Sequence, residues 1–305
     1  MVQKRFTGLL AAAVTPLSPD GSVNVAQVRP LVDHLVRNQV NGLFVCGSTG
    51  EGPLLTSEER RATASAFVEA AQGRLPVIVH VGHSSPAEAR KLAEHAQNVG
   101  ADAIAAVPPW YFKPESIDQL IGCLAEIAAG APQLPFYYYH IPSRTGVCLD
   151  LLDLLQRGPE RIPTLAGAKY TATTVGEFQA LVAYAGGRFD LLYGCDDMLL
   201  AGLAAGARGA VGTTYNYATP LFQRLIAAFQ AGDIAAARNF QTQAISMCRI
   251  LLPYGGIPAS KAIMKFLGVD CGPARLPLVQ LSPAAEQSLK AELEAVDFFD
   301  WIKLP

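Results

Sequence analysis

Residues 76–107 read PVIVHVGHSSPAEARKLAEHAQNVGADAIAAV, and the fold turns on how that stretch divides. The run 76–81 is almost continuous in Val and Ile, the pattern of a parallel strand covered on both faces. Residues 85–99 then mix apolar and polar positions at helical spacing and end at Gly100, a plausible C-terminal glycine for a helix. A second apolar run, 103–107, follows directly.

The alternation extends both ways along the chain. Further runs rich in Val, Ile, Leu, Ala and Tyr lie at 8–15, 42–47, 135–141, 165–170, 190–194 and 209–213. Between two of them, 56–72 opens with Thr56 and Glu59 three residues apart, a capping-box pattern. Strand–helix alternation predicts an α/β protein with a parallel sheet. Eight runs within roughly 220 residues fit a (β/α)8 TIM barrel. The competitor is an open doubly wound sheet, but no GxGxxG follows the first run and no Walker-type lysine loop occurs. From about Thr219 the pattern turns helical, over 219–251, 259–267 and 282–296. We therefore expect a barrel over 1–220, then the last barrel helix and a C-terminal helical extension over 221–305, in one structural unit.

Composition narrows the function. Half of the 305 residues are apolar and 16% are charged, which suits a large buried core. The formal charge of −2 offers no basic stripe, so nucleic acid and anionic membranes are not expected as partners. Cys46, Cys123, Cys148, Cys195, Cys248 and Cys271 show no CxxC spacing and sit mostly in apolar segments, so small buried thiols are expected. Residues 1–6 lack the apolar stretch of a signal peptide, and no segment reads as a membrane span. A reducing cytoplasm is the expected compartment.

In a barrel of this kind chemistry sits at the C-terminal ends of the strands. The second run ends in Gly47-Ser48-Thr49-Gly50-Glu51, where glycines, hydroxyls and free amides can grip a carboxylate, or simply make a turn. The sixth carries Lys169 in an apolar strand. Burying an ammonium there is costly, and the neutral amine attacks ketones, although such a lysine can also snorkel or pair with a carboxylate.

The fifth run holds Tyr137, Tyr138, Tyr139 and His140. Alternation puts Tyr137 and Tyr139 on one face, where a tyrosine beside a reactive lysine can shuttle protons. Packing is the ordinary reading for Tyr137 and Tyr138, and His140 reads equally as a core histidine. Arg144 can pair with a carboxylate or be a surface charge. Asp196 and Asp197 after the seventh run, with Thr213 after the eighth, suit a polyhydroxylated substrate, a divalent cation or a helix N-cap.

Together these segments resemble the N-acetylneuraminate lyase and dihydrodipicolinate synthase family of pyruvate-dependent aldolases. The likeness spans nearly the whole chain. It rests on the Gly-Ser-Thr-Gly-Glu turn, the Tyr-His-Ile-Pro strand, the Gly-x-Lys strand and the Gly-Pro-Ala-Arg-Leu-Pro-Leu segment at 272–278. The resemblance implies that Lys169 forms a Schiff base with pyruvate, that Ser48 and Thr49 hold its carboxylate, and that Tyr139 relays protons. It also implies that Tyr111 reaches into a neighbouring subunit's site in a homotetramer built as a dimer of dimers. It implies a small-molecule substrate, no metal and no organic cofactor.

Within the family the chain is most similar to the sialic acid lyases, whose sugar-contacting positions correspond to Thr171, Gly194, Asp196, Asp197 and Thr213. Asp197 stands where glutamate is usual. Arg144 resembles the synthase branch, so a dihydrodipicolinate synthase or another pyruvate-dependent sugar-acid aldolase is the alternative. A different class would be a keto-acid sensor, or a metal-dependent aldolase using His80 and His83. Their His-x-x-His spacing at a strand end is poor for one ion.

Overall fold

The computed structural model describes residues 5–303. Eight parallel strands form where the apolar runs predicted them: β1 Gly8–Ala12, β2 Gly42–Val45, β3 Val77–His80, β4 Ala103–Ala106, β5 Phe136–His140, β6 Leu165–Tyr170, β7 Asp190–Tyr193 and β8 Gly209–Gly212. Each pairs with the next, and β1 pairs with β8, so the sheet closes into a barrel. Helices α1 Val28–Arg37, α2 Ser57–Ala71, α3 Pro86–Asn98 and α4 Ile117–Ala128 cross between the first five strands. A helical turn, α5 Pro142–Thr145, precedes α6 Leu151–Arg157, and α7 Val175–Ala185 and α8 Leu199–Ala204 complete the ring before β8.

The strands are apolar throughout because both faces are covered. Leu10, Phe44, Ile78, Ala105, Tyr137, Tyr139, Leu192 and Val211 pack together inside the barrel. Leu9, Leu43, Val45, Val79, Tyr138 and Tyr170 join the layer between strands and helices. Since Ala168 and Tyr170 belong to that outer layer, strand alternation turns Lys169 inward. The capping box of α2 is present: Glu59 donates its backbone N–H to the Thr56 hydroxyl at 3.2 Å, and the Glu59 carboxylate accepts from the Thr56 N–H at 2.8 Å.

Two expectations need correction. The helical run 219–251 is two helices, α9 Thr219–Gln230 and α10 Ile234–Leu251. Gly232 takes φ +78°, and the Asp233 side chain accepts from Ala236 N–H to cap the second helix. The cysteines are all free, but only Cys46 and Cys271 are buried, and Cys148 is exposed because it lies in the loop after α5. Helices α11 Ile257–Phe266, α12 Pro283–Glu294 and α13 Phe298–Trp301 follow the barrel. Among the described residues no helix is long and apolar enough to cross a membrane. The charged N-terminal lead over residues 1–6 lies mostly outside the described residues.

Candidate active site

The turn after β2 starts with strained backbone. Cys46 has φ +58° although it carries a side chain, and Glu51 has φ +56°. A Cβ on Gly52 would stand 1.9 Å from the Cys46 carbonyl oxygen, so only glycine admits that close approach. The far end of the turn is tied to the helical extension. Glu51 is buried, with its Oε1 2.6 Å from Lys261 Nζ of α11, while its Oε2 accepts from the Arg275 backbone N–H at 2.7 Å. Lys261 also donates to the Pro273 carbonyl at 2.7 Å. The Arg275 guanidinium grips both carboxylate oxygens of Glu59 at 2.7 Å. Held in this way, the turn presents two hydroxyls to the cavity: Ser48 Oγ lies 3.5 Å from the Tyr139 phenol, and Thr49 Oγ1 lies 2.7 Å from Thr213 Oγ1.

Lys169 and Tyr139 are register partners across β5 and β6. Lys169 is 4% exposed, and its Nζ stands 4.2 Å from the Tyr139 ring centroid and 4.6 Å from that of Phe44. Among the described residues no carboxylate lies within ion-pair distance of this amine. It does not snorkel to bulk water, and among the described residues it has no acidic partner. The Tyr139 and Phe44 rings flank it, and the residue lines an accessible pocket.

One cavity of about 400 Å³ collects Ser48, Thr49, Tyr139, Arg144, Lys169, Thr171, Gly194, Asp196, Asp197 and Thr213. Asp196 does not cap a helix: its Oδ2 accepts from the Thr214 backbone N–H at 2.8 Å and hydroxyl at 2.6 Å, joining the ends of β7 and β8. Burial raises the Asp196 carboxyl, against the pull of those hydrogen bonds. Asp197 and Arg144 are exposed at the rim. The Thr171 hydroxyl is buried and has no partner among the described residues, and a Cβ on Gly194 would stand 2.1 Å from it.

Tyr111 is the one predicted site residue outside this cavity. It is 78% exposed in the loop after β4, edge-on to Phe112. Tyr137 packs toward the other end of the barrel, donating to Asp190 Oδ2 at 2.9 Å. His140 faces the helices and stacks on Tyr170. His80 and His83 form no common ligand set, since both His80 ring nitrogens meet backbone groups and His83 Nδ1 accepts from the Ser85 N–H. Sequence reasoning missed that Cys248 and Leu251 of α10 and Gly256 ahead of α11 wall the cavity, together with Tyr217 after β8 and Ser260 of α11. It also missed the Glu51–Lys261 pair. A lysine among the apolar residues of a helix was the available signal.

Residues 5–296 match the dihydrodipicolinate synthetase family. The N-acetylneuraminate lyase of Mus musculus is 40% identical over 301 residues, covering 97% of this chain and 94% of its own. That of Gallus gallus is 41% identical over 299 residues, covering 96% and 97%. The solved N-acetylneuraminate lyase of Proteus mirabilis superposes with a TM-score of 0.94 at 38% identity, covering 97% of this chain and all of that one. A dihydrodipicolinate synthase of Bacillus anthracis gives 0.89 at 29% identity, covering 95% and 98%. With its barrel closed and its lysine, tyrosine and hydroxyl turn gathered in one cavity, the chain belongs to the dihydrodipicolinate synthetase family.

Proposed function

We propose that the chain is a class I aldolase that cleaves N-acetylneuraminate reversibly to pyruvate and N-acetylmannosamine. The observation that carries this reading is the buried Lys169 amine, bounded by Tyr139 and Phe44 within reach of a turn bearing two hydroxyls. Ser48 and Thr49 hold the substrate carboxylate and so aim the C2 ketone at Lys169. The amine adds to C2 and water leaves, giving an iminium that draws electrons from the neighbouring bond. The Tyr139 phenol relays the C4 hydroxyl proton to the substrate carboxylate, the C3–C4 bond breaks, and N-acetylmannosamine departs. The enamine left on Lys169 is protonated at C3 and hydrolysed, releasing pyruvate and the free amine. Positioning in a pocket walled on one side by α10 and α11 supplies the rate.

Thr171, Gly194, Asp196, Asp197 and Thr213 lie along the sugar chain in this reading. Asp197 reaches one methylene less than glutamate. Tyr111 projects into a neighbouring subunit's cavity in this reading, so the working unit is an oligomer; a homotetramer built as a dimer of dimers, the family's usual assembly, and a cytoplasmic location complete the proposal. The test is pyruvate release from N-acetylneuraminate, lost in Lys169→Met. The exposed Arg144 favours one second reading, a synthase that binds a carboxylate on its second substrate.

A further inference from the structure

His80, at the end of β3, belongs to neither the hydroxyl turn nor the proton relay, yet it touches both. It is 2% exposed. Its Nδ1 lies 3.0 Å from the Cys46 carbonyl oxygen and its Nε2 lies 3.3 Å from the Val107 backbone nitrogen. A carbonyl only accepts and a backbone N–H only donates, so Nδ1 carries the proton and Nε2 is bare. That neutral tautomer is the form that satisfies both neighbours.

Arg60 of α2 keeps the ring from taking a second proton, although its N–H faces Nδ1 and makes no hydrogen bond to it in this tautomer. The guanidinium is buried, donates to the His80 carbonyl at 2.6 Å and the Gly82 carbonyl at 2.9 Å, and stands 3.5 Å from Nδ1. The titratable and charged groups facing the imidazole are Arg60 from α2, Lys169 from β6 and Tyr139 from β5, while the Cys46 thiol after β2 turns to the Arg60 carbonyl. Burial and the two cations hold the ring well below the ordinary histidine range.

Both contacts of the ring bear on the reaction. Cys46 is the left-handed residue from which the Ser48 and Thr49 turn departs, and a hydrogen bond to its carbonyl holds a backbone that would otherwise relax. On its other side the ring stands edge-on to Tyr139, with centroids 5.8 Å apart and planes at 89°. We infer that His80 is a positioning residue with two separable duties: its Nδ1–H holds Cys46, and so the turn that grips the substrate carboxylate, while its ring fixes Tyr139 beside Lys169. The inference rests on the aldolase reading of Lys169.

Two variants separate the duties. His80→Asn keeps an N–H near the place of Nδ1 but removes the ring. His80→Phe keeps a ring but removes the donor. In the condensation of pyruvate with N-acetylmannosamine, His80→Phe should raise the pyruvate KM about tenfold with kcat within about twofold of wild type. His80→Asn should do the reverse, lowering kcat about tenfold with the pyruvate KM within about twofold. A merely structural role would move kcat and KM together in both variants, in step with the loss of Tm, and that result overturns the inference. Should either variant not fold, 15N NMR of the wild-type imidazoles decides. His80 should keep its single proton on Nδ1 and stay neutral through the ordinary histidine range; a proton on Nε2, or titration at the ordinary histidine value, contradicts the assignment. Borohydride trapping of pyruvate on wild-type Lys169 separates the two levels. No adduct overturns both readings, whereas an adduct with parallel effects in the variants overturns the role of His80 alone.

Discussion

Glu51 and Lys261 form an ion pair sealed from solvent, Oε1 to Nζ at 2.6 Å, that joins the hydroxyl turn of the barrel to α11 of the helical extension. A buried pair is balanced only while both partners remain, because a lone charge in that interior is uncompensated. Lys261→Met should therefore cost about 3–5 kcal/mol of stability. It should also raise the pyruvate KM, since Glu51 is the far anchor of the Ser48 and Thr49 turn. Chemical denaturation and initial rates check this. A variant with unchanged stability, or with a kcat effect alone, would contradict the anchoring role.

Tyr139 faces both Lys169 and Ser48, so losing its hydroxyl should impair proton movement but leave the amine in place. Tyr139→Phe should lower kcat by about 10²–10⁴-fold while borohydride still traps pyruvate on Lys169. Steady-state kinetics beside intact-mass measurements give the answer. Retention of wild-type kcat would remove Tyr139 from the relay.

Arg144 separates the two substrate readings. It lies exposed at the cavity rim, in a helical turn closed by Gly146 at φ +64°. Arg144→Leu should leave N-acetylneuraminate cleavage within about threefold of wild type, because rim charges contribute little. Loss of that activity would contradict the peripheral role of Arg144, whereas wild-type activity on aspartate semialdehyde that the variant abolishes would favour the synthase reading.

Burial lowers His34, His80 and His140 below the ordinary histidine value. As the pH falls through about 6.5 the unfolded chain takes up protons that these folded residues refuse, so their contribution to stability is complete above that pH and shrinks below it. Each contributes up to about 1.4 kcal/mol per pH unit. Comparing unfolding free energies of wild type and His80→Asn at pH 7 and 5 isolates the His80 share. The wild type should lose more stability than the variant over that interval. Equal slopes would show that His80 titrates normally in the folded protein.

Much of the barrel was legible because parallel strands covered on both faces leave continuous apolar runs, and all eight runs became strands. The break at Gly232 was harder to see, since helical periodicity continues through α9 and α10 and only residues 231–233, with Gly232 left-handed, separate them. Lys169 and the Gly47–Glu51 turn stood out through residue types that are costly or permissive at strand ends. The meeting of Tyr139 with Lys169 depends on β5–β6 register, which no local spacing encodes. Glu51 and Lys261 are brought together only by the packing of α11 on the barrel mouth. His80 drew attention for its spacing to His83, whereas its partners are the backbone groups of Cys46 and Val107 from neighbouring strands.

The central claim is that the Lys169 nitrogen becomes an imine. Incubation with pyruvate and borohydride, followed by peptide mass mapping, tests it directly: the reduced pyruvyl adduct should lie on Lys169 and vanish in Lys169→Met. An unmodified Lys169, or an adduct on another lysine, would contradict the account.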